Sequence, residues 1–136
     1  MQYAATLGRI VLGLYFLAAG AGKMFAASVP AEQIAHMTAN GIPAAELMFV
    51  LTGACETIAG ICLVAGLHTR LVAALLAAFC VLASVTLHAY WKLPAGHEQF
   101  VQMIMFMKNM STMAGLLAFV GFGSGPLSLD RFFGKD

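Results

Sequence analysis

The sequence predicts an all-α fold: a four-helix transmembrane bundle with short loops and a short interfacial helix in the first loop. Three observations carry that expectation. Of 136 residues, 61% are hydrophobic and only 10% charged, and mean hydropathy is +0.88, whereas a soluble domain holds about 25% charged residues. The apolar residues gather in four runs of about 20 residues, the length a helix needs to cross a hydrocarbon core of about 30 Å. None of these runs has the continuous polar face that a helix of a soluble bundle would show to water. The length predicts one transmembrane domain, residues 1–136.

The first span covers about residues 4–25. MQYAATLGRI followed by an apolar run and AAS has the outline of a secretion signal; the expectation is that it stays as a membrane helix. The loop after it, AASVPAEQIAHMTANGIPAAE, holds two prolines, an Asn-Gly and two acids. Ile34 and Met37 recur on one side and Gly41 is a helix stop, so a short helix over 31–40 is expected at the membrane surface, covering the mouth of the bundle. The second span covers about 45–67 and the third about 71–90. GLHTR between them is so short that the two must be adjacent antiparallel helices. WKLPAGHEQ then leads to the fourth span, about 100–122.

An even number of spans puts both termini and GLHTR on one side, together with Arg9, Arg70, Arg131 and Lys135, against Lys23 and Lys92 opposite. The positive-inside rule therefore places both termini in the cytoplasm of a bacterial inner membrane. Tyr90 and Trp91 then fall in the outer aromatic belt, and Phe132 and Phe133 near the inner one. A net charge of +1 without a basic run gives nucleic acid nothing to bind. Cys55, Cys62 and Cys80 form no C-x-x-C pair, which argues against a zinc site or a thioredoxin-like centre. No haem or flavin motif is legible.

The informative residues are the polar ones inside the spans. In FMKNMSTM, Lys108 and Asn109 stand in an otherwise apolar run, where a cation near mid-membrane costs about 2.5–3.5 kcal/mol on insertion scales. Helical spacing groups Arg9, Gly13, Phe16, Gly20 and Lys23 on one stripe of the first span. The same spacing groups Gly53, Glu56 and Gly60 on the second, Ala73, Ala77, Cys80, Ser84 and His88 on the third, and Lys108, Ser111 or Thr112, and Gly115 on the fourth. Small residues mark faces where membrane helices approach closely, so these stripes should point inward. At 1.5 Å per residue, Lys23 and His88 lie within about 5 Å of the outer boundary, Lys108 about 12 Å down and Glu56 about 16 Å. Lys23, Glu56, His88, Lys108 and Asn109 thus form a candidate ligand-binding cluster in the outer half, with Glu56 and Lys108 expected to pair by depth and charge. Arg9 is expected to snorkel to the inner interface. His36, His68 and His97 are read as solvated loop residues, Asp130 as a cap of a short C-terminal turn, and the cysteines as small core residues.

LGRIVLGLYFLAAGAGKMF, HMTANGIP, GACETIAGICLVAGLHTR, TLHAYW, FMKNMSTMAGLL and GPLSLDRFF together resemble the DoxX family of small bacterial membrane proteins along nearly the whole chain. The specific elements are the Gly-rich first helix ending in GK, the glutamate of the second helix, LHTR, the His88/Trp91 pair, the Lys108/Asn109 pair and the closing LSLDR. The resemblance implies association with membrane redox or detoxification systems, in the manner of an accessory subunit of a membrane oxidoreductase, without implying a catalytic residue.

The leading functional reading is a redox-linked module. Its outer cluster would bind the head group of a quinone, Lys108 or His88 bonding a carbonyl and Glu56 relaying a proton. Electrons would then come from the ligand or from a membrane or periplasmic redox partner. The alternatives are a structural subunit or scaffold, with or without homo-oligomerisation, and a carrier of a small solute or metal ion. For the last, Met103, Met107 and Met110 share a face and His88 and His97 lie nearby, a donor set that suits Cu(I).

Overall fold

The computed structural model describes residues 2–26 and 29–135. Four long helices account for most of them: α1 (Gln2–Met24), α3 (Ala45–Ala65), α4 (Thr69–Leu87) and α5 (His97–Phe122). All four are long and apolar enough to cross a membrane. α2 (Ala31–Ala39) lies in the first loop, as the pattern of Ile34 and Met37 predicts, and a four-residue α6 (Leu129–Phe132) closes the chain. No strand occurs among the described residues. Large apolar side chains such as Leu7, Ile58, Ile61 and Leu75 are exposed on the outside of the bundle, where a bilayer rather than water is the matching solvent.

The helix ends differ from the hydropathy runs for local reasons. α3 stops two residues early because Gly66 takes a left-handed conformation (φ 69°). The Leu67 N–H then bonds the Cys62 carbonyl at 2.8 Å, which satisfies a terminal acceptor and reverses the chain. α5 begins three residues early, at His97, because polar residues such as Glu98 extend a helix beyond its apolar stretch.

The helices associate as two close pairs, α1 with α3 and α4 with α5. In the first pair the glycine stripes meet. A Cβ at Gly20 would lie 2.5 Å from the Gly53 carbonyl and the Thr57 nitrogen, and one at Gly60 2.5 Å from the Leu17 nitrogen. The backbones therefore touch, as small-residue stripes predict. A core of Phe16, Leu63, Leu76, Ala77, Cys80, Leu116 and Phe119 binds the two pairs together towards the end of the bundle that carries the termini. At the opposite end Met37 of α2 packs on Ala45 and Phe49.

The terminal end holds two corrections. Arg9 does not snorkel; it is 1% exposed. Its guanidinium donates to the carbonyls of Val64 (2.9 Å), Ser124 (3.0 Å), Leu127 (2.5 Å) and Leu63. The segment after α5 folds back over the bundle and brings carbonyls that need donors, so burial of the cation is compensated by charge-assisted bonds. Asp130 does not cap its own turn, a role that falls to Ser128. Its carboxylate instead accepts from the backbone N–H groups of His68 and Thr69, both at 2.7 Å, and caps α4 from a distance in sequence. Burial pushes that carboxyl upward, but the Thr69 and His68 hydrogen bonds and the nearby His68 outweigh it and hold it below its ordinary value.

Candidate functional site

Between the two helix pairs, beneath α2, lies a cavity of about 550 Å³. Lys23, Glu56, His88, Lys108 and Asn109 all line it. They arrive from different elements: Lys23 from the last turn of α1, Glu56 from mid-α3, His88 from the end of α4, and Lys108 and Asn109 from mid-α5. Phe49, Phe79, Leu82, Leu87 and Met105 supply apolar walls. The arrangement follows from the packing. The glycine contacts draw α1 onto α3 and leave α5 against α4, so a gap opens wherever the shared core stops.

The expected Glu56–Lys108 ion pair is not what forms. Glu56, 6% exposed, pairs with Lys23, whose Nζ is 2.5 Å from Oε2. Depth counted along the helices does not decide the partner, since it sets Lys23 well above Glu56; adjacency does. Lys23 lies on the glycine-paired face, where a Cβ at Gly53 would be 2.8 Å from the lysine's own Cβ, whereas Lys108 faces Glu56 only across the cavity. A thermal-unfolding double-mutant cycle on Glu56→Gln and Lys23→Met is accordingly expected to show a coupling of about 1–3 kcal/mol. The same cycle on Glu56→Gln and Lys108→Met should be close to additive; the reverse pattern would contradict this pairing.

Lys108 is exposed, with its Nζ 5.9 Å from the centre of the Tyr15 ring, a cation–π distance. Ser111 is exposed and Thr112 half-buried, so the fourth stripe points inward less completely than expected. His88 Nδ1 is 2.7 Å from Gln102 Oε1. His36 is not a solvated loop residue: Nε2 donates to the Leu87 carbonyl at 2.8 Å, and its ring stacks on His88 with centroids 6.4 Å apart. Sequence reasoning missed this residue, although Gln33, His36 and Met37 share one helical side, and Gln33 and Met37 both line the cavity. Met103 and Met107 are 36% and 57% exposed and absent from the cavity wall. Cys55 is exposed rather than in the core, and Cys80 is buried. No group of three or more His, Cys, Asp or Glu that could hold a metal ion occurs among the described residues.

Fold and site define a small integral membrane protein: four spanning helices, a surface helix over one end, and a largely apolar cavity bearing an ion pair and a second lysine. The DoxX family model matches residues 4–89, and the chain belongs to the DoxX family. It is 29% identical over 129 residues to the inner membrane protein YqjF of Escherichia coli (strain K12), covering 95% of this chain and 91% of that one. It is 30% identical over 125 residues to the inner membrane protein YphA of the same organism, covering 92% and 86%. The protein is thus a multi-pass inner-membrane protein. No solved structure matches it.

Proposed function

We propose that the cavity receives a small planar amphiphile of the quinone type, and that the protein serves as a redox-linked membrane module. The observation that carries the reading is the joining of Lys23, Glu56, His88, Lys108 and Asn109, drawn from all four spans, on one cavity of about 550 Å³ with largely apolar walls. A ligand site is of this kind: mainly apolar, with a few convergent polar groups. Lys108 and Asn109 would bond a head-group oxygen, and the aromatic and aliphatic walls would enclose the ring. His88, at the end of α4 beside His36, would exchange protons with water, since imidazole changes charge near neutral pH. Both termini lie in the cytoplasm in this reading, which opens the cavity to the outer side. Electrons belong to the ligand and to a partner oxidoreductase.

Purified protein titrated with a short-chain quinone should show a saturable rise in melting temperature. His88→Ala and Lys108→Met, assayed where both remain folded, should reduce that rise. A second reading, a scaffold subunit, draws on the Lys23–Glu56 pair, which satisfies both charges without a ligand. Absence of any shift with quinones would favour the scaffold.

A further inference from the structure

We infer that the cavity selects an organic anion: a planar, weakly acidic molecule, such as a hydroxyquinone, a phenol or an aromatic carboxylate, bound in its ionised form to Lys108. The inference deepens the ligand-site reading above and rests on it.

The charges lining the cavity decide the matter. Glu56 is the acidic residue on its wall, and its carboxylate already meets Lys23 at 2.5 Å. The neutral polar groups are largely engaged as well. Thr52 Oγ1 donates to the Phe49 carbonyl and Thr86 Oγ1 to the Leu82 carbonyl, while His88 is held by Gln102. Among the described residues Lys108 has an aromatic face at 5.9 Å and no carboxylate. Yet it stands roughly 16 Å along a spanning helix, counted from His97, close to the depth at which an uncompensated cation is least favourable. One positive charge is therefore left over on the wall of a largely apolar cavity at membrane depth. A neutral head group would satisfy a hydrogen bond there; an anionic one would also cancel the charge, and the attraction is strong where water is displaced. The Asn109 amide, on the same wall, can donate to a second oxygen of that anion. The surrounding Phe49, Phe79, Leu82 and Met105 exclude a strongly hydrated inorganic ion and suit a flat carbon framework.

The test compares 2-naphthoate with 2-naphthamide, which share a ring system and differ in charge, on the full chain in nanodiscs of zwitterionic lipid. Calorimetric titration of the wild type should show 2-naphthoate bound at least about tenfold more tightly, as expected for a partly desolvated charge pair. Lys108→Met should abolish the difference and Lys108→Arg should keep it. The ligand-free Lys108→Met variant should melt no lower than wild type, because no ion pair is lost. Equal binding of the two compounds by the wild type would overturn the anion preference while leaving a ligand site in place. Failure of both compounds and of short-chain quinones to bind would overturn the site itself. The wild-type comparison stands even if a variant fails to fold.

Discussion

Gly60→Val is expected to leave little folded protein. A Cβ at position 60 would lie 2.5 Å from the Leu17 nitrogen and 2.8 Å from the Gly13 carbonyl oxygen. These are backbone atoms, which cannot swing aside as the tip of a side chain can. Accommodating the branched side chain means separating α1 from α3 along their whole contact, because Gly13, Gly20 and Gly53 depend on the same approach. Lys23 and Glu56 would be drawn apart by the same movement. A loss of roughly 3 kcal/mol or more is expected, at the upper end for overpacking. Gly22→Ala is the matched control. Nothing lies within 4 Å of a Cβ there, so the change should be neutral or stabilise the helix by up to about 1 kcal/mol. Recovery of monodisperse protein on size exclusion and the thermal midpoint would read both results. A Gly60→Val protein as stable as wild type would show that the helices do not meet at these glycines.

Arg9→Met carries a comparable effect at the other end of the bundle. The guanidinium serves the carbonyls of Leu63, Val64, Ser124 and Leu127 at once. Removing it leaves buried acceptors without donors, at about 1–3 kcal/mol for each one that water cannot reach. Arg9→Lys should rescue little, since an ammonium donates from one nitrogen and cannot reproduce the planar fork. The segment from Ser124 onward would lose its anchor in either variant. Limited trypsin treatment reads this directly: cleavage after Arg131, which is exposed, should be much faster in both variants than in wild type. Arg9→Lys behaving like wild type would show that charge alone suffices.

Much of the architecture was legible in the sequence because a membrane constrains it heavily. Span length and hydropathy located the helices, and the spacing of Gly13 and Gly20, and of Gly53 and Gly60, located the faces that meet. Those faces also gathered Lys23, Glu56, His88, Lys108 and Asn109 onto one cavity. Partner choice was not legible. Depth put Glu56 level with Lys108, but which helix lies against which is a property of packing that periodicity does not record. Arg9 and Asp130 escaped for a related reason: their partners are backbone groups more than fifty residues away, and backbone groups leave no trace in residue identity. The signal available was the segment GFGSGPLSLD, too rich in glycine, proline and serine to satisfy its own carbonyls, beside an arginine with no acid in its span. His36 was misassigned because a loop helix was treated as solvated on all sides, when its inner side lies over the cavity.

The bonds of Arg9 to Ser124 and Leu127 reach across 115 and 118 residues, and this bears on how the chain is built. α1 leaves the ribosome early, and its arginine can meet Leu63 and Val64 within the first hairpin but must wait for Ser124 and Leu127, translated more than a hundred residues later. α1 with α3, and α4 with α5, are consecutive hairpins, so each can assemble in the order of synthesis. The cavity, which belongs to neither hairpin alone, exists only once they have docked. Residues 124–130 then act as a closing latch, meeting Arg9 of the first hairpin and, through Asp130, the start of the second. A chain interrupted before residue 124 would lack the Ser124 and Leu127 carbonyls that Arg9 serves, and would keep the Leu63 and Val64 carbonyls of the first hairpin.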